Sequence, residues 1–204
     1  MKMNLPNKLT MLRLFLTIII LVLIGFNWSQ LNIAWPTYLF GGKVLLKLNY
    51  LIALGIFIVA SFTDFLDGKI ARKKNLVTDF GKVMDAIADK VLVNGVLIIL
   101  AYNHDISVIV PVIIVIRDTI VDSIKMVSGN NGKVVGASIA GKIKTATMMV
   151  GICFVLAGNI PMEFFGVGLD QLLILIATCL SIYSGIEYFI NNKDLFLKDV
   201  VSKK

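Results

Sequence analysis

Residues 61–72 read S-F-T-D-F-L-D-G-K-I-A-R and close a long apolar stretch. In an α-helix, residues three and four positions apart share a face. Five residues of this stretch stand at offsets 0, 3, 4, 7 and 8 and therefore fall on one helical stripe: Asp64, Asp67, Gly68, Ala71 and Arg72. The stretch predicts a membrane helix whose polar end presents two carboxylates, two small residues and a guanidinium on one face.

A second stripe follows after a short polar turn. Gly81, Asp85 and Asp89 recur at intervals of four at the start of the next apolar stretch. Helices joined by a short turn pack as antiparallel neighbours, so we expect the two stripes to face each other. Four carboxylates gathered near lipid repel one another unless a positive partner neutralises them. Oxygen ligands on rigid helices suit Mg²⁺ or Mn²⁺, and two ions can share four such groups. The predicted metal ligands are Asp64, Asp67, Asp85 and Asp89.

Two plainer interpretations of these stripes stay open at this point. The aspartates could form a solvated charge cluster at the membrane edge with the neighbouring cations: Lys69, Arg72, Lys73, Lys82 and Lys90. The small residues could serve only close helix packing, which is their usual role in membrane helices. They also remove side chains from the face that carries the acids, which leaves room for a ligand to approach the backbone.

The composition indicates a membrane protein. Of the 204 residues 57% are hydrophobic and 16% are charged, and the mean hydropathy is +0.87, outside the range of an ordinary soluble domain. Cys153, Cys179 and His104 have no partners at the spacing of a zinc or redox motif, which excludes those classes of site. The net charge of +7 is spread among apolar stretches, so it favours anionic lipid and phosphate-bearing substrates over nucleic acid.

The apolar stretches predict an all-α membrane protein with six spans. A span needs about 20 mostly apolar residues, and six stretches qualify: Thr10–Phe26, Leu46–Leu66, Lys82–Tyr102, Ile106–Val127, Thr145–Leu156 with its flanks, and Val167–Ile190. Residues 28–42 are then a loop with interfacial aromatic residues, and residues 1–13 an amphipathic helix along the interface. We expect a single membrane domain over residues 1–204.

The distribution of cations predicts the orientation of the six spans. Only Lys43 and Lys47 fall on the side opposite the termini, which leaves 18 of the 20 Lys and Arg residues on the side of the termini. Cytoplasmic loops carry the excess of Lys and Arg. Both termini and the aspartate stripes are therefore expected in the cytoplasm.

The two stripes together resemble a family signature. They read D-x-x-D-G-x-x-A-R, eight residues, and G-x-x-x-D-x-x-x-D, which resembles the signature of the CDP-alcohol phosphotransferase family without a departure. Eight fixed identities at fixed spacing make a specific motif. The resemblance implies that a hydroxyl attacks a CDP-linked lipid or alcohol at the phosphate distal to cytidine and releases CMP.

The resemblance also implies roles for the residues of the signature. Asp64, Asp67 and Asp85 would be ligands of two divalent metal ions, Mg or Mn. Asp89 would be both a ligand and the base that takes the proton of the acceptor hydroxyl. The pocket for the CDP part of the donor would be formed by Gly68, Ala71, Arg72 and Gly81. The family resemblance further suggests a homodimer.

The residues that could bind the acceptor alcohol lie outside the signature. Arg117 lies within the fourth predicted span, and Lys142 and Lys144 begin the fifth, so these three cations could converge on an acceptor phosphate. Alternatively, Arg117 pairs with Asp118 or Asp122, and the lysines only set topology and touch anionic lipid.

Two segments outside the signature bear on the donor and the acceptor. Residues 4–13 and 141–145 are similar to those of family members that use CDP-diacylglycerol as donor and sn-glycerol 3-phosphate as acceptor. These are therefore the expected substrates, in a bacterial cell membrane. Inositol phosphate or serine as acceptor is the alternative within the family. A divalent-cation carrier is the alternative outside it, because intramembrane carboxylates also line ion pathways.

Overall fold

A computed structural model describes residues 4–73, 79–130, 136 and 138–201. The side chains at positions 5, 6, 64–73, 79, 80, 82, 130 and 194–201 lie outside this description. The described part contains six α-helices: α1 (Leu5–Gly25), α2 (Leu48–Lys73), α3 (Asp79–Tyr102), α4 (Ile109–Asn130), α5 (Ile139–Leu156) and α6 (Leu169–Val201). Short 3₁₀ helices cover Trp28–Leu31 and Met162–Phe165.

The connection between α1 and α2 contains a small β-hairpin. Strands β1 (Thr37–Phe40) and β2 (Val44–Lys47) pair antiparallel, with Thr37 opposite Lys47 and Phe40 opposite Val44. Gly41 and Gly42 begin the turn with φ angles of 58° and 71°, a backbone region that glycine enters without steric cost. The region predicted as a loop therefore ends in an ordered hairpin, and α2 begins directly after β2 at Leu48.

The helices pack in two groups around one apolar core. α1 contacts α2 and α3, whereas α6 contacts α5 and α4, and contacts of α2 with α5 and of α3 with α4 join the groups. The core draws on all six helices, and its fully buried members include Ile20, Phe57, Leu97, Ile114, Ile152 and Ala177. Dispersion and close packing of such side chains hold membrane helices together where lipid is as apolar as the core.

The buried face of α1 changes character along its length. Thr10, Arg13 and Thr17 are buried in its first half, and Ile20 and Ile24 in its second half. Their spacing of three or four residues places all five on one face. The core is therefore polar around the start of α1 and apolar around its end.

Three described helical segments are long and apolar enough to cross a membrane, namely Asn7–Gly25, Ile139–Leu156 and Leu169–Lys193. α3 and α4 are of similar length but carry charged residues inside their apolar stretches. Large apolar side chains such as Phe15, Ile116 and Phe189 face outward, as expected for helices in contact with lipid. The chain is a helical membrane protein. α1 runs unbroken from Leu5 to Gly25, so the predicted interfacial segment and the first span share one helix.

Candidate functional site

The two predicted aspartate stripes lie on helical backbone. α2 continues to Lys73, so Asp64, Asp67, Gly68, Ala71 and Arg72 all belong to one helix, as the spacing requires. Their side chains lie outside the described part of the structure. The continuation of the helix is confirmed, whereas the contacts of these five residues stay predictions.

α3 carries the second stripe in its first half. Gly81, Asp85 and Asp89 are half-buried there at intervals of four, which aligns them on one face of α3. Ala88, between the two acids, is fully buried against the core. The stripe therefore lies at the edge of the packed bundle, with Asp85 and Asp89 one helical turn apart.

Arg13 of α1 reaches this stripe. Its guanidinium Nη1 donates a hydrogen bond to Oδ1 of Asp85 at 3.1 Å. The Arg13 side chain is 0% exposed, while that of Asp85 is 48% exposed. A buried guanidinium is costly without anionic partners, so this contact indicates an anionic environment next to α1.

Sequence analysis assigned no functional role to Arg13. The signal was present, because a cation between Leu12 and Leu14, at the edge of an apolar stretch, needs a partner. The partner was not identifiable, since Arg13 and Asp85 are 72 positions apart. Helical spacing relates residues within one helix and carries no information about which helix packs beside it.

A second charged group centres on Asp118 of α4. Its Oδ1 accepts hydrogen bonds from Nη1 of Arg117 at 3.0 Å and from Nζ of Lys144 at 3.1 Å. The side chains of Arg117 and Asp118 are each 14% exposed and that of Lys144 is 6% exposed. Arg117 and Lys144 therefore meet at Asp118, and the pairing of Arg117 with Asp118 is the plainer interpretation. Their convergence on an acceptor phosphate stays a prediction.

α6 fixes the other side of Arg117. Nη2 of Arg117 donates to Oγ of Ser184 at 2.7 Å, and that hydroxyl donates onward to the carbonyl of Ser181 at 3.1 Å. A Cβ atom at Gly185 would lie 3.0 Å from Cγ of Arg117, closer than an ordinary contact. Gly185 therefore lets α6 approach the Arg117 stem closely. Ser184 and Gly185 were not identified from the sequence, because nothing in the spacing links α6 to α4.

Two further lysines surround the same centre. Lys90 of α3 forms an ion pair with Asp122 of α4. Nζ of Lys125 lies 5.7 Å from the ring centroid of Tyr188, whose hydroxyl donates to the carbonyl of Gly136. The charges of Asp118, Lys125, Asp89 and Lys144 all act on Lys90. We call Lys90, Arg117, Lys125 and Lys144, together with Asp118 and Asp122, the cation cluster.

The cation cluster adjoins the aspartate stripe. Lys90 directly follows Asp89 on α3, and the charge of Asp89 acts on Lys144, although less strongly than that of Asp118. Four cations and two carboxylates leave the cluster with a formal charge of about +2. Asp89, the described end of the aspartate stripe, therefore borders a group of side chains with an excess of positive charge.

Lys142 does not join the cluster. It lies two residues from Lys144, which turns its side chain to a different face of α5, and it is exposed. Its predicted role at an acceptor phosphate stays a prediction without a contact in the described part of the site.

The donor chemistry of the stripe fits a hard divalent cation. Asp85 and Asp89 offer only carboxylate oxygens, and helical spacing places Asp64 and Asp67 on a comparable stripe of α2. Among the described side chains there is no group of three metal-ligating residues, and two of the four predicted ligands are not among them. Asp85 and Asp89 are half-buried, and Oδ1 of Asp85 accepts a hydrogen bond from Arg13.

Comparison with known proteins identifies the family of the chain. A model of the CDP-alcohol phosphatidyltransferase family matches residues 3–183. The chain is 36% identical over 191 residues to a protein of Bacillus subtilis named CDP-diacylglycerol–glycerol-3-phosphate 3-phosphatidyltransferase, covering 93% of this chain and 95% of that one. Proteins of the same name from Mycoplasma genitalium and Rickettsia typhi are each 33% identical. These matches cover 92% and 91% of this chain and 83% and 95% of the relatives.

Proposed function

The chain belongs to the CDP-alcohol phosphatidyltransferase family, and we propose that it transfers the phosphatidyl group of CDP-diacylglycerol to sn-glycerol 3-phosphate. The products are phosphatidylglycerophosphate and CMP. The relatives from Bacillus subtilis, Mycoplasma genitalium and Rickettsia typhi are named for this reaction. The matches cover 83% to 95% of their lengths. The structural observation that carries the proposal is the cation cluster beside Asp89.

The cation cluster supports a phosphorylated acceptor. Arg117 and Lys144 point at a shared centre from two helices, and Lys90 and Lys125 add charge from two directions. The formal charge of about +2 complements a phosphate monoester dianion. Serine carries no net charge and would leave that excess uncompensated. Inositol phosphate would satisfy the cluster equally well, and the names of the relatives favour glycerol 3-phosphate over it.

We assign the role of base to Asp89. It lies on α3 next to Lys90 of the cation cluster, so an acceptor held by its phosphate has its hydroxyls near this carboxylate. In the reaction, a hydroxyl oxygen forms a bond to the phosphorus that carries diacylglycerol. The bond from that phosphorus to the oxygen of CMP breaks, and Asp89 takes the hydroxyl proton.

The donor side rests on the family resemblance and on the aspartate stripes. We propose that Asp64, Asp67, Asp85 and Asp89 hold two divalent ions, Mg or Mn, and that the CDP part lies against Gly68, Ala71, Arg72 and Gly81. Such ions, when bound, neutralise charge on the diphosphate and on the departing CMP. Arg13 supports Asp85 from the buried side, which keeps this carboxylate in one position.

The membrane arrangement completes the proposal. Six spans in a single domain over residues 1–204 place both termini and the aspartates in the cytoplasm of a bacterium, since 18 of 20 cations lie on that side. The protein works in contact with membrane lipid and, as its family suggests, as a homodimer.

Purified protein in detergent tests the proposal. With CDP-diacylglycerol, glycerol 3-phosphate and Mg²⁺ or Mn²⁺, it should release CMP and form phosphatidylglycerophosphate in equal amounts. Omitting the acceptor should abolish CMP release. A divalent-cation carrier predicts instead metal flux into sealed vesicles without CDP-lipid. Ion flux in the absence of CMP release would contradict the transferase assignment.

A further inference from the structure

The end of the bundle away from the aspartates holds a polar cavity of about 490 Å³. Its walls come from the end of α1, the segment that follows it, the start of α2 and the end of α3. The residues that line it include Trp28, Trp35, Lys47, Asn49 and Tyr50. The volume far exceeds the ~30 Å³ that one water molecule occupies in the liquid.

Asn49 lines this cavity and carries an unused acceptor. The residue is 8% exposed, and its Nδ2 donates to the carbonyl of Leu23 in α1 at 3.0 Å. That bond fixes the orientation of the amide, because exchanging its oxygen and nitrogen would bring two acceptors together. Oδ1 is buried and accepts no hydrogen bond from any described residue. A buried carbonyl of this kind requires a donor.

Trp35 presents an unused donor. Its Nε1 is buried and finds no acceptor among the described residues. Trp28 packs edge-on against it, with ring centroids 5.6 Å apart, and differs because its own Nε1 donates to the carbonyl of Leu23 at 3.1 Å. The cavity wall therefore combines one satisfied indole and one indole that needs an acceptor.

Lys47 adds a positive charge. It is the one charged residue among the described residues that line the cavity. Its Nζ lies 5.4 Å from the ring centroid of Tyr50, and the Tyr50 hydroxyl is held by hydrogen bonds with Asp105 and Asn103. The ring attracts the ammonium and keeps it at the cavity.

We propose that this cavity binds the head group of an anionic phospholipid that carries a free hydroxyl. The phosphate accepts from the Trp35 indole and pairs with Lys47, and the hydroxyl donates to Oδ1 of Asn49. Tryptophan and tyrosine side chains gather where a bundle meets the lipid–water boundary, which places a head group at this depth. A phosphocholine head group has neither a net charge nor a hydrogen-bond donor, so the cavity discriminates against it.

This site is separate from the transferase site and does not depend on the proposed reaction. Its ligand chemistry, a phosphate joined to a hydroxylated carbon chain, could come from a lipid or from a soluble glycerol phosphate. Separate titrations with the lipid and with soluble glycerol 3-phosphate distinguish these two ligands.

Intrinsic fluorescence reports directly on this cavity, because it is lined by both of the chain's two tryptophans. Protein in phosphatidylcholine nanodiscs is titrated with phosphatidylglycerol, with phosphatidylmethanol, which is anionic but lacks the hydroxyl, or with soluble glycerol 3-phosphate. We expect a saturable change with phosphatidylglycerol and about tenfold weaker binding of phosphatidylmethanol. Equal binding of the two lipids would overturn the role of Asn49, and an equal response to soluble glycerol 3-phosphate would overturn the lipid assignment.

Single substitutions provide the matched control. Lys47→Gln and Trp35→Phe should each weaken phosphatidylglycerol binding about tenfold, with Trp28 as the reporter in the second variant. Lys43→Gln removes an exposed cation in the hairpin turn that does not line the cavity and should leave binding unchanged. Equal loss in the Lys43 and Lys47 variants would show general surface attraction and overturn the site. A shared melting temperature in phosphatidylcholine confirms that the variants fold.

Discussion

The two ends of the bundle use polar residues in different ways. At the end with the aspartates, ionised side chains meet across helices, as in the pair of Arg13 with Asp85 and the group of Arg117 and Lys144 around Asp118. At the other end, most hydrogen bonds come from neutral side chains. Asn49 and Asn103 donate to the last carbonyls of α1, whose partners within the helix have run out.

This difference assigns substrate binding to the end with the aspartates and stabilisation of the helix ends to the other end. Neutral hydrogen bonds at the second end close helix termini, and Gln171 of α6 joins them by donating to the carbonyl of Asp105. Among the described residues that line the cavity at this end, Lys47 is the one charged side chain. The first end keeps an excess of positive charge beside an acidic stripe, an arrangement costly to maintain near lipid and suited to binding phosphates.

The same substitution at the two ends gives the largest predicted contrast. Asp89→Asn should lower turnover by about 10²–10⁴-fold, because an amide cannot take the acceptor proton. Asp105→Asn, on the loop between α3 and α4, should leave turnover within about twofold, since it lies among the supporting residues. CMP release measured for both variants tests the contrast. Near-normal turnover of the Asp89 variant would remove that residue from the role of base.

Arg13 should matter both for stability and for turnover. Arg13→Gln removes the charge that faces Asp85 and leaves polar groups in a buried position, at a cost of about 1–3 kcal/mol. We expect a melting temperature lower by roughly 3–10 °C and turnover about tenfold lower. Arg13→Lys keeps the charge without the planar geometry, so it should recover part of both losses. Wild-type turnover in the Gln variant would show that Arg13 only serves packing.

Lys144 and Lys142 of α5 allow a buried and an exposed lysine of the charged end to be compared. Lys144→Met should raise the KM for glycerol 3-phosphate about tenfold or more and leave the KM for CDP-diacylglycerol near its original value, because Lys144 belongs to the cation cluster. Lys142→Met should change either constant by less than about threefold, since Lys142 is exposed on another face. Equal effects of the two substitutions on the KM for glycerol 3-phosphate would mean that the lysines act only through the overall positive charge of this end.

The smallest predicted effect is a pH dependence at the supporting end. Burial raises the pKa of Asp105 above its usual value, although the Tyr50 hydrogen bond and the charges of Lys47 and His104 oppose this. A raised pKa in the folded state means that protonation stabilises the fold, and this contribution is lost as pH rises above about 4. Relative to the wild type, Asp105→Asn should therefore gain melting temperature as pH rises from about 4 to 7. A constant difference in melting temperature between the two proteins from about pH 4 to 7 would contradict a raised pKa of Asp105.

Part of this organisation was predictable from the sequence. Intervals of three and four within one helix correctly placed Gly81, Asp85 and Asp89 on α3 and required α2 to continue through Arg72. Apolar composition identified a membrane protein. A polar partner for Arg117 was also predictable, because this cation lies inside an apolar stretch.

The contacts between helices were not predictable in the same way. Arg117 and Ser184 are 67 positions apart, and Lys144 and Asp118 are 26 apart. Periodicity fixes which residues share a face and leaves open which helix covers that face. The contacts of Arg13, Ser184 and Gly185 were therefore identified only from the packing of the helices. The hairpin of residues 37–47 was identified only from the strand pairing in the structure.

The most direct test of the account compares acceptors in one preparation of the protein. With CDP-diacylglycerol and Mg²⁺ or Mn²⁺ fixed, CMP release is measured with glycerol 3-phosphate, inositol phosphate or serine added singly. We expect a kcat/KM for glycerol 3-phosphate at least about 100-fold above that for serine, and also above that for inositol phosphate, with phosphatidylglycerophosphate as the lipid product. A preference for serine would contradict the role of the cation cluster, and a preference for inositol phosphate would contradict the proposed acceptor.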